Sequence, residues 1–367
     1  MPPVLPQELL DEIISYLSHH DLPSLALVNR NIQSISYARL YRVIPPLPPR
    51  STVLLLKVLS KRPALAAITR MCTISDLRSY SLVTWTISFF QLMSRALHNM
   101  HNLIDLRVYI IGQYASYLMG CPFRLTTLRV ACDWDQQLVD WLREQNTVTN
   151  IWVFSIRHGA AEVTPDVLPS LRRALGSVVS LSALVPGRPL EAVDVSFPSP
   201  EGFTPEILAL TCKVLAHSSS PIAELFVTAD LTDLEVPHML ETLNVIPDEL
   251  PGLQSFGLFA ARGFISAAFV NAFDEVLCNF KGLKKMSIYS SQLHDALNDY
   301  LVTKDLPVHW HKACPTLESV DINGIPWLYD PSHGWMTTEA YKLTILDLLN
   351  DAKKEEESLR RRLRELT

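Results

Sequence analysis

Apolar residues change their spacing along this chain, and the change divides it. Near the N-terminus Leu9, Leu10, Ile13, Ile14 and Leu17 fall at i, i+1, i+4, i+5 and i+8, a broad apolar stripe on one helix. Pro6 suits the first turn of that helix, where its missing N–H costs nothing. Asp21 is placed to cap a second helix with Pro23 in its first turn and Leu22, Leu25 and Val28 as its apolar positions. A third helix is predicted around Ile32, Ile35 and Leu40. A unit of about forty residues buries little surface on its own. The first stripe is wider than one small core needs, so part of it is expected to serve another surface.

Residues Pro45 to Arg50, PPLPPR, read as a stiff spacer that is neither helix nor strand. Beyond it a short pattern recurs, apolar-x-x-apolar-x-apolar. It appears as Leu103/Leu106/Val108, Leu125/Leu128/Val130, Val148/Ile151/Val153, Leu190/Val193/Val195, Ile222/Leu225/Val227, Leu253/Phe256/Leu258, Leu283/Met286/Ile288 and Leu317/Val320/Ile322. A weak first copy is read at Ile68/Met71/Thr73. The last two apolar positions of each copy alternate as in a strand. Helical segments lie between copies. Thr164-Pro165-Asp166 and Thr204-Pro205-Glu206 each read as a capping Thr, a first-turn Pro and an acid near the helix dipole. Asp133–Gln145 carries Leu138, Trp141 and Leu142 on one face, and Phe264–Leu277 carries Phe269, Phe273 and Leu277. Strand and helix repeated in this order predict an irregular α/β solenoid, with a non-repeating α/β domain as the rival. Starts are 22 and 23 residues apart early on and 30 to 34 later, with a gap of 42 before Leu190. Thr338 to Leu366 reads as a long charged helix with Glu356/Arg360 and Glu357/Arg361 pairs.

Composition narrows the function. Hydrophobic residues are 48% and charged residues 19%, the balance of a globular chain. The net charge of −6 lacks the basic surplus of a nucleic-acid binder, so no nucleic-acid partner is expected. The apolar run Leu82–Met93 is too short to span a bilayer and reads as a core helix, and no membrane partner is expected. The opening MPPVLPQELLDE has no basic or apolar signal region. Six scattered cysteines without C-x-x-C spacing read as buried hydrophobes in a reducing compartment, cytoplasmic or nuclear.

The run Leu5-Pro6-x-Glu8-Leu9-Leu10-x-x-Ile13-Ile14-x-x-Leu17, then Asp21-Leu22-x-x-Leu25-Ala26-x-Val28-x-Arg30, then Leu40-Tyr41, resembles an F-box. The closing Ala38-Arg39-Leu40-Tyr41-Arg42 is like the end of many fungal F-boxes. Asn29 departs from the pattern, where many members have cysteine or serine. The body is similar to leucine-rich repeats in the degenerate form found in F-box proteins, without the Asn or Cys turn of regular repeats. These resemblances imply an F-box domain over residues 1–44, a proline-rich spacer over 45–50, a leucine-rich-repeat-like solenoid over 51–336 and a C-terminal charged helix over 337–367. They imply docking on a Skp-type adaptor, and through it a cullin-RING ligase, with Leu5, Pro6, Leu9, Ile13, Leu17, Leu22, Leu25 and Val28 as the adaptor-binding residues. Leu10 and Ile14 are assigned to internal packing.

Solenoids bind partners on the strand-lined face. Its outward positions include Arg107, Tyr109, Arg129, Trp152, Phe154, Phe226, Phe259 and Tyr289, the residue types found at interface centres. All of these except Arg129 are taken as the candidate target-binding set. Their alternative is a surface covered by inserted loops or the C-terminal helix. The sequence carries no G-x-S-x-G, P-loop or G-x-G-x-x-G, so catalysis and a cofactor are not expected. His309, His311 and Cys314 match no standard zinc spacing, and no metal is expected. The chain therefore reads as a substrate-recognition adaptor of an SCF-type ubiquitin ligase. The alternative is an F-box scaffold that does not direct ubiquitination.

Overall fold

The computed structural model describes residues 6–18, 20–75, 85–154, 163–290, 305–339 and 342. Leu5 and nearly all of the expected C-terminal helix, with its Glu356/Arg360 and Glu357/Arg361 pairs, lie outside the described residues. The chain divides into two units, Met1–Leu190 and Glu191–Thr367.

The first unit opens with α1 (Gln7–Ser15), α2 (Leu22–Leu25) and α3 (Arg30–Arg42). Ile14, Leu22 and Ile35 form their buried centre, with Leu10, Ile32 and Leu40 packed against it. The Arg39 guanidinium donates to the Ile14 carbonyl at 3.2 Å, tying α3 to the C-terminal turn of α1. Asn29 has a local reason: its side chain accepts from the Ile32 amide at 2.9 Å and caps α3. Asp21 precedes α2 without capping it; its carboxylate accepts from the Ser18 hydroxyl at 2.7 Å.

Immediately after α3 comes β1 (Val43–Ile44), which pairs in parallel with β2 (Met71–Ser75). The helical module is thus bonded to the sheet by its own last residues. A cut after residue 44 removes β2's neighbour, so it falls inside the folded unit. The expected spacer is shorter than predicted, because Pro49 and Arg50 already begin α4 (Pro49–Lys61), where two prolines at a helix start cost no hydrogen bond. A short α5 (Pro63–Ala66) packs against α3.

The parallel ladder of this unit continues through β3 (Asp105–Tyr109), β4 (Thr127–Val130), β5 (Asn150–Val153) and β6 (Arg173–Ser177). Two rows of side chains run across the strands in register. One is Cys72, Leu106, Leu128, Ile151 and Ala174; the other is Ile74, Val108, Val130, Val153 and Gly176. Nearly all are sealed from solvent, together with the apolar faces of α6 (Ile87–His98) and α7 (Gln136–Arg143). These rows correct the weak first copy: the inward residues of β2 are Cys72 and Ile74, one position later than Met71 and Thr73. They also fill the gap before Leu190, because Leu171, Ala174 and Gly176 supply an unread copy on β6. Thr164-Pro165-Asp166 begins a turn and not a helix; Leu168 adopts a positive φ of 56° directly after it.

That turn is held by a buried cation. Arg188 is 0% exposed, and its guanidinium donates to the carbonyls of Thr164 and Val167, each at 2.7 Å. It also donates to Leu184, at 2.8 Å, in the last turn of α8 (Val178–Leu184). Burial holds its pKa down at about 10, so it is still charged near neutrality.

In the second unit β7 (Ala192–Phe197), β8 (Glu224–Asp230), β9 (Ser255–Arg262), β10 (Lys285–Ser290) and β11 (Ser319–Ile322) form a parallel ladder in chain order. Its inward rows are Val193, Leu225, Phe256, Met286 and Val320, and Val195, Val227, Leu258, Ile288 and Ile322. Thr204 caps α9 (Pro205–Leu215) as expected, accepting from the Ile207 amide at 3.4 Å. The expected helix over 264–277 is broken into Ala267–Ala272 and Asp274–Leu277, with Phe269, Phe273 and Leu277 buried. After β11 the chain turns back as β12 (Ile325–Asp330) and β13 (Gly334–Thr337), both antiparallel.

Five of the six cysteines are buried and none is bridged; Cys278 is exposed. Burial pushes Cys72, Cys121, Cys132 and Cys212 up from 9.0 to about 12. The unfolded chain therefore loses these protons above pH 9, while the folded chain keeps them until about pH 12. Stability is fully present below pH 9 and falls as pH rises from there. Each thiol contributes a slope of up to about 1.4 kcal/mol per pH unit. Urea unfolding midpoints should hold up to about pH 9 and decline steadily from there to about pH 10.5; a flat profile would show that these thiols are not sealed.

Candidate functional site

The first surface is on the helical module. On α1 the apolar stripe splits. Ile14 is 3% exposed and Leu10 is half-buried, while Leu9 is 45% and Ile13 51% exposed, with Leu17 beside them. Steps of 100° per residue put positions 9, 13, 16 and 17 on one arc and positions 10 and 14 on the next. Tyr16, Leu27 and Val28 add to the solvent-facing apolar residues, and Pro6 is exposed at the helix start. Leu25 is half-buried. Leu22 is corrected: at 3% exposure it packs with Ile14 and Ile35 and offers no surface. Tyr16 and Leu27 lie outside the predicted adaptor-binding set, although each continues the apolar spacing of its neighbours. Seven exposed apolar residues, Pro6, Leu9, Ile13, Tyr16, Leu17, Leu27 and Val28, lie within about twenty residues, more apolar surface than a small module ordinarily leaves uncovered.

Each unit also presents the alternate, non-core positions of its own strands, and the candidate residues divide between the two units. Arg107, Tyr109, Trp152 and Phe154 belong to the first unit, and Phe226, Phe259 and Tyr289 to the second. In the first unit one row reads Thr73, Arg107, Arg129, Trp152 and Leu175. Arg107 is bound to Asp105 by two hydrogen bonds of 3.0 and 2.7 Å. Arg129 stacks over the Trp152 ring, its guanidinium carbon 3.2 Å from the centroid. Tyr109 and Phe154 meet with ring centroids 6.2 Å apart.

In the second unit the row is Asp194, Phe226, Gly257, Ser287 and Asp321. The Phe226 ring lies across Gly257, where an added Cβ would overlap it, and reaches Tyr289 with centroids 6.2 Å apart. Phe259 pairs directly with Tyr289. Burial, and then a hydrogen bond to Asp321, push the Tyr289 hydroxyl up to about 12. These aromatics are half-buried against their neighbours except Phe154, which is 43% exposed. Gly257 is the residue that the sequence alone does not reveal, since its role is to leave room for the ring of Phe226, its paired residue on the neighbouring strand. Gly257→Ala should displace Phe226 and cost about 1–3 kcal/mol, the usual penalty of overfilling a packed site. Denaturant unfolding of that variant checks it; an unchanged midpoint would mean that Phe226 is not fixed there.

The histidine segment has structural partners. His309 contacts Asp274 at 3.1 Å, His311 bonds the Leu317 carbonyl at 3.0 Å and stacks on Tyr329, and Trp310 donates to the Val270 carbonyl at 3.2 Å. Among the described residues no group of three or more His, Cys, Asp or Glu side chains is placed to hold a metal ion, and no helix is long and apolar enough to cross a membrane.

Comparison of the chain with curated proteins finds no match. A family match covers its N-terminal segment only. Residues 3–40, which span the Ile14, Leu22 and Ile35 core and the exposed face of α1, match the F-box domain, so the N-terminal module of this chain is an F-box domain.

Proposed function

We propose that this protein is a substrate-recognition adaptor of an SCF-type ubiquitin ligase. F-box domains generally bind Skp-type adaptors in such ligases. The observation that carries the reading is the division of labour on α1. Ile14 closes the module's core while Leu9, Ile13 and Leu17, with Val28 nearby, remain uncovered where an adaptor would dock. The body then acts as a leucine-rich-repeat-like solenoid, a reading supported by parallel strands that follow one another in chain order within each unit and by the recurring inward triplets. Its aromatic and arginine-bearing strand positions are the target-binding face. The chain works without catalysis of its own, in a reducing compartment, cytoplasmic or nuclear.

Affinity purification of the intact chain with mass spectrometry tests this. Recovery of a Skp-type adaptor together with a cullin supports the ligase role. Recovery of the adaptor without a cullin favours a scaffold outside ubiquitination.

A further inference from the structure

On the strand face of the first unit, two neighbouring arginines are treated differently. Arg107 is satisfied, since Asp105 takes both of its donors and its charge. Arg129 is not: its guanidinium rests on the Trp152 ring, and its Nε is buried without a hydrogen-bond partner. Stacking on an indole offsets the charge of a guanidinium but leaves its in-plane N–H groups unbonded. An N–H kept dry and unbonded is costly unless something accepts from it. We infer that Arg129 and Trp152 form a subsite for an acidic peptide. A glutamate or aspartate of the bound segment pairs with the Arg129 guanidinium, and apolar neighbours of that segment lie on Trp152, Tyr109 and Phe154.

Charge decides between anions. Within the row Thr73, Arg107, Arg129, Trp152 and Leu175, Asp105 neutralises one guanidinium and leaves one. A single cation matches a singly charged carboxylate, whereas a phosphate near its dianionic form calls for a cluster of arginines. The planar fork of Arg129 is already oriented by the ring beneath it, so little freedom is lost when a carboxylate arrives. The corresponding row of the second unit, Asp194, Phe226, Gly257, Ser287 and Asp321, carries no arginine stacked on a ring. This inference rests on the strand face being the target-binding surface.

Fluorescence anisotropy with a labelled oligoglutamate peptide on the purified full chain tests it, with oligoglutamine and phosphoserine-containing peptides as competitors. Oligoglutamate should bind saturably, weaken with added salt and resist competition by oligoglutamine. Arg129→Gln should lower its affinity at least about tenfold, the loss of one charge-assisted contact. Asp105→Asn, which frees Arg107, should raise it. Unchanged binding in Arg129→Gln, or equal binding of oligoglutamine, overturns the subsite. Tighter binding of the phosphoserine peptide overturns the carboxylate assignment. Should Arg129→Gln fail to fold, the unaltered chain decides, and displacement of oligoglutamate by oligoglutamine as readily as by oligoglutamate itself overturns the inference. Peptide binding that fails while adaptor and cullin are still recovered leaves the ligase role standing. Intact peptide binding without cullin recovery sinks the ligase role and leaves the subsite.

Discussion

Ile13→Asp should lower affinity for a Skp-type adaptor by roughly a hundredfold or more, because a carboxylate buried without a partner costs several kcal/mol. The same change should barely affect folding. Ile13 is 51% exposed in the chain alone, and surface substitutions typically fall within about 0.5 kcal/mol. The next residue gives the opposite result. Ile14 is 3% exposed in the Ile14, Leu22 and Ile35 centre, so Ile14→Asp places its charge inside the module and should unfold it. Calorimetric titration with purified adaptor, beside thermal melts of both variants, separates the two effects. Full affinity in a folded Ile13→Asp chain would remove the outward arc of α1 from the docking surface.

Arg188→Met should be among the most destabilising single changes in the first unit, at about 3 kcal/mol or more. The methionine fills much of the volume, but the Thr164, Val167 and Leu184 carbonyls lose their donor in a site closed to water. Arg188→Lys should recover only part of the loss, since an ammonium group cannot span the turn at 164–167 and the end of α8 with one planar fork. Chemical denaturation of the three chains gives the ranking. A loss below about 1 kcal/mol for Arg188→Met would mean that water replaces the guanidinium.

Sequence reading succeeded where one residue type answers one local need. Leu106 and Val108, or Leu225 and Val227, announce a strand because both inward positions demand bulk. The copy on β6 escaped because its inward positions are Ala174 and Gly176, which leave no hydrophobic signal although their backbones pair normally. The first copy slipped by one residue because Met71 is apolar yet faces outward, and a slip of one reverses every side chain. The antiparallel hairpin after β11 had a signal that was passed over. Asn323-Gly324 adopts φ values of 49° and 82°, the two-residue turn that joins Ile322 to Ile325. Leu22, at a helix start, reads as surface in the sequence, yet the third helix packs Ile35 over it. The stacking of Arg129 on Trp152 and the seating of Phe226 on Gly257 depend on strand register, which spacing within one strand does not encode.

Hydrogen exchange of the intact chain, measured with and without a purified Skp-type adaptor, tests the docking assignment most directly. The prediction is slower exchange across Gln7–Ser15 and Leu22–Val28 on adding the adaptor, with the strands of the second unit unchanged. No protection within residues 7–28 in a mixture where the adaptor demonstrably binds, or protection confined to the strand faces, would contradict it.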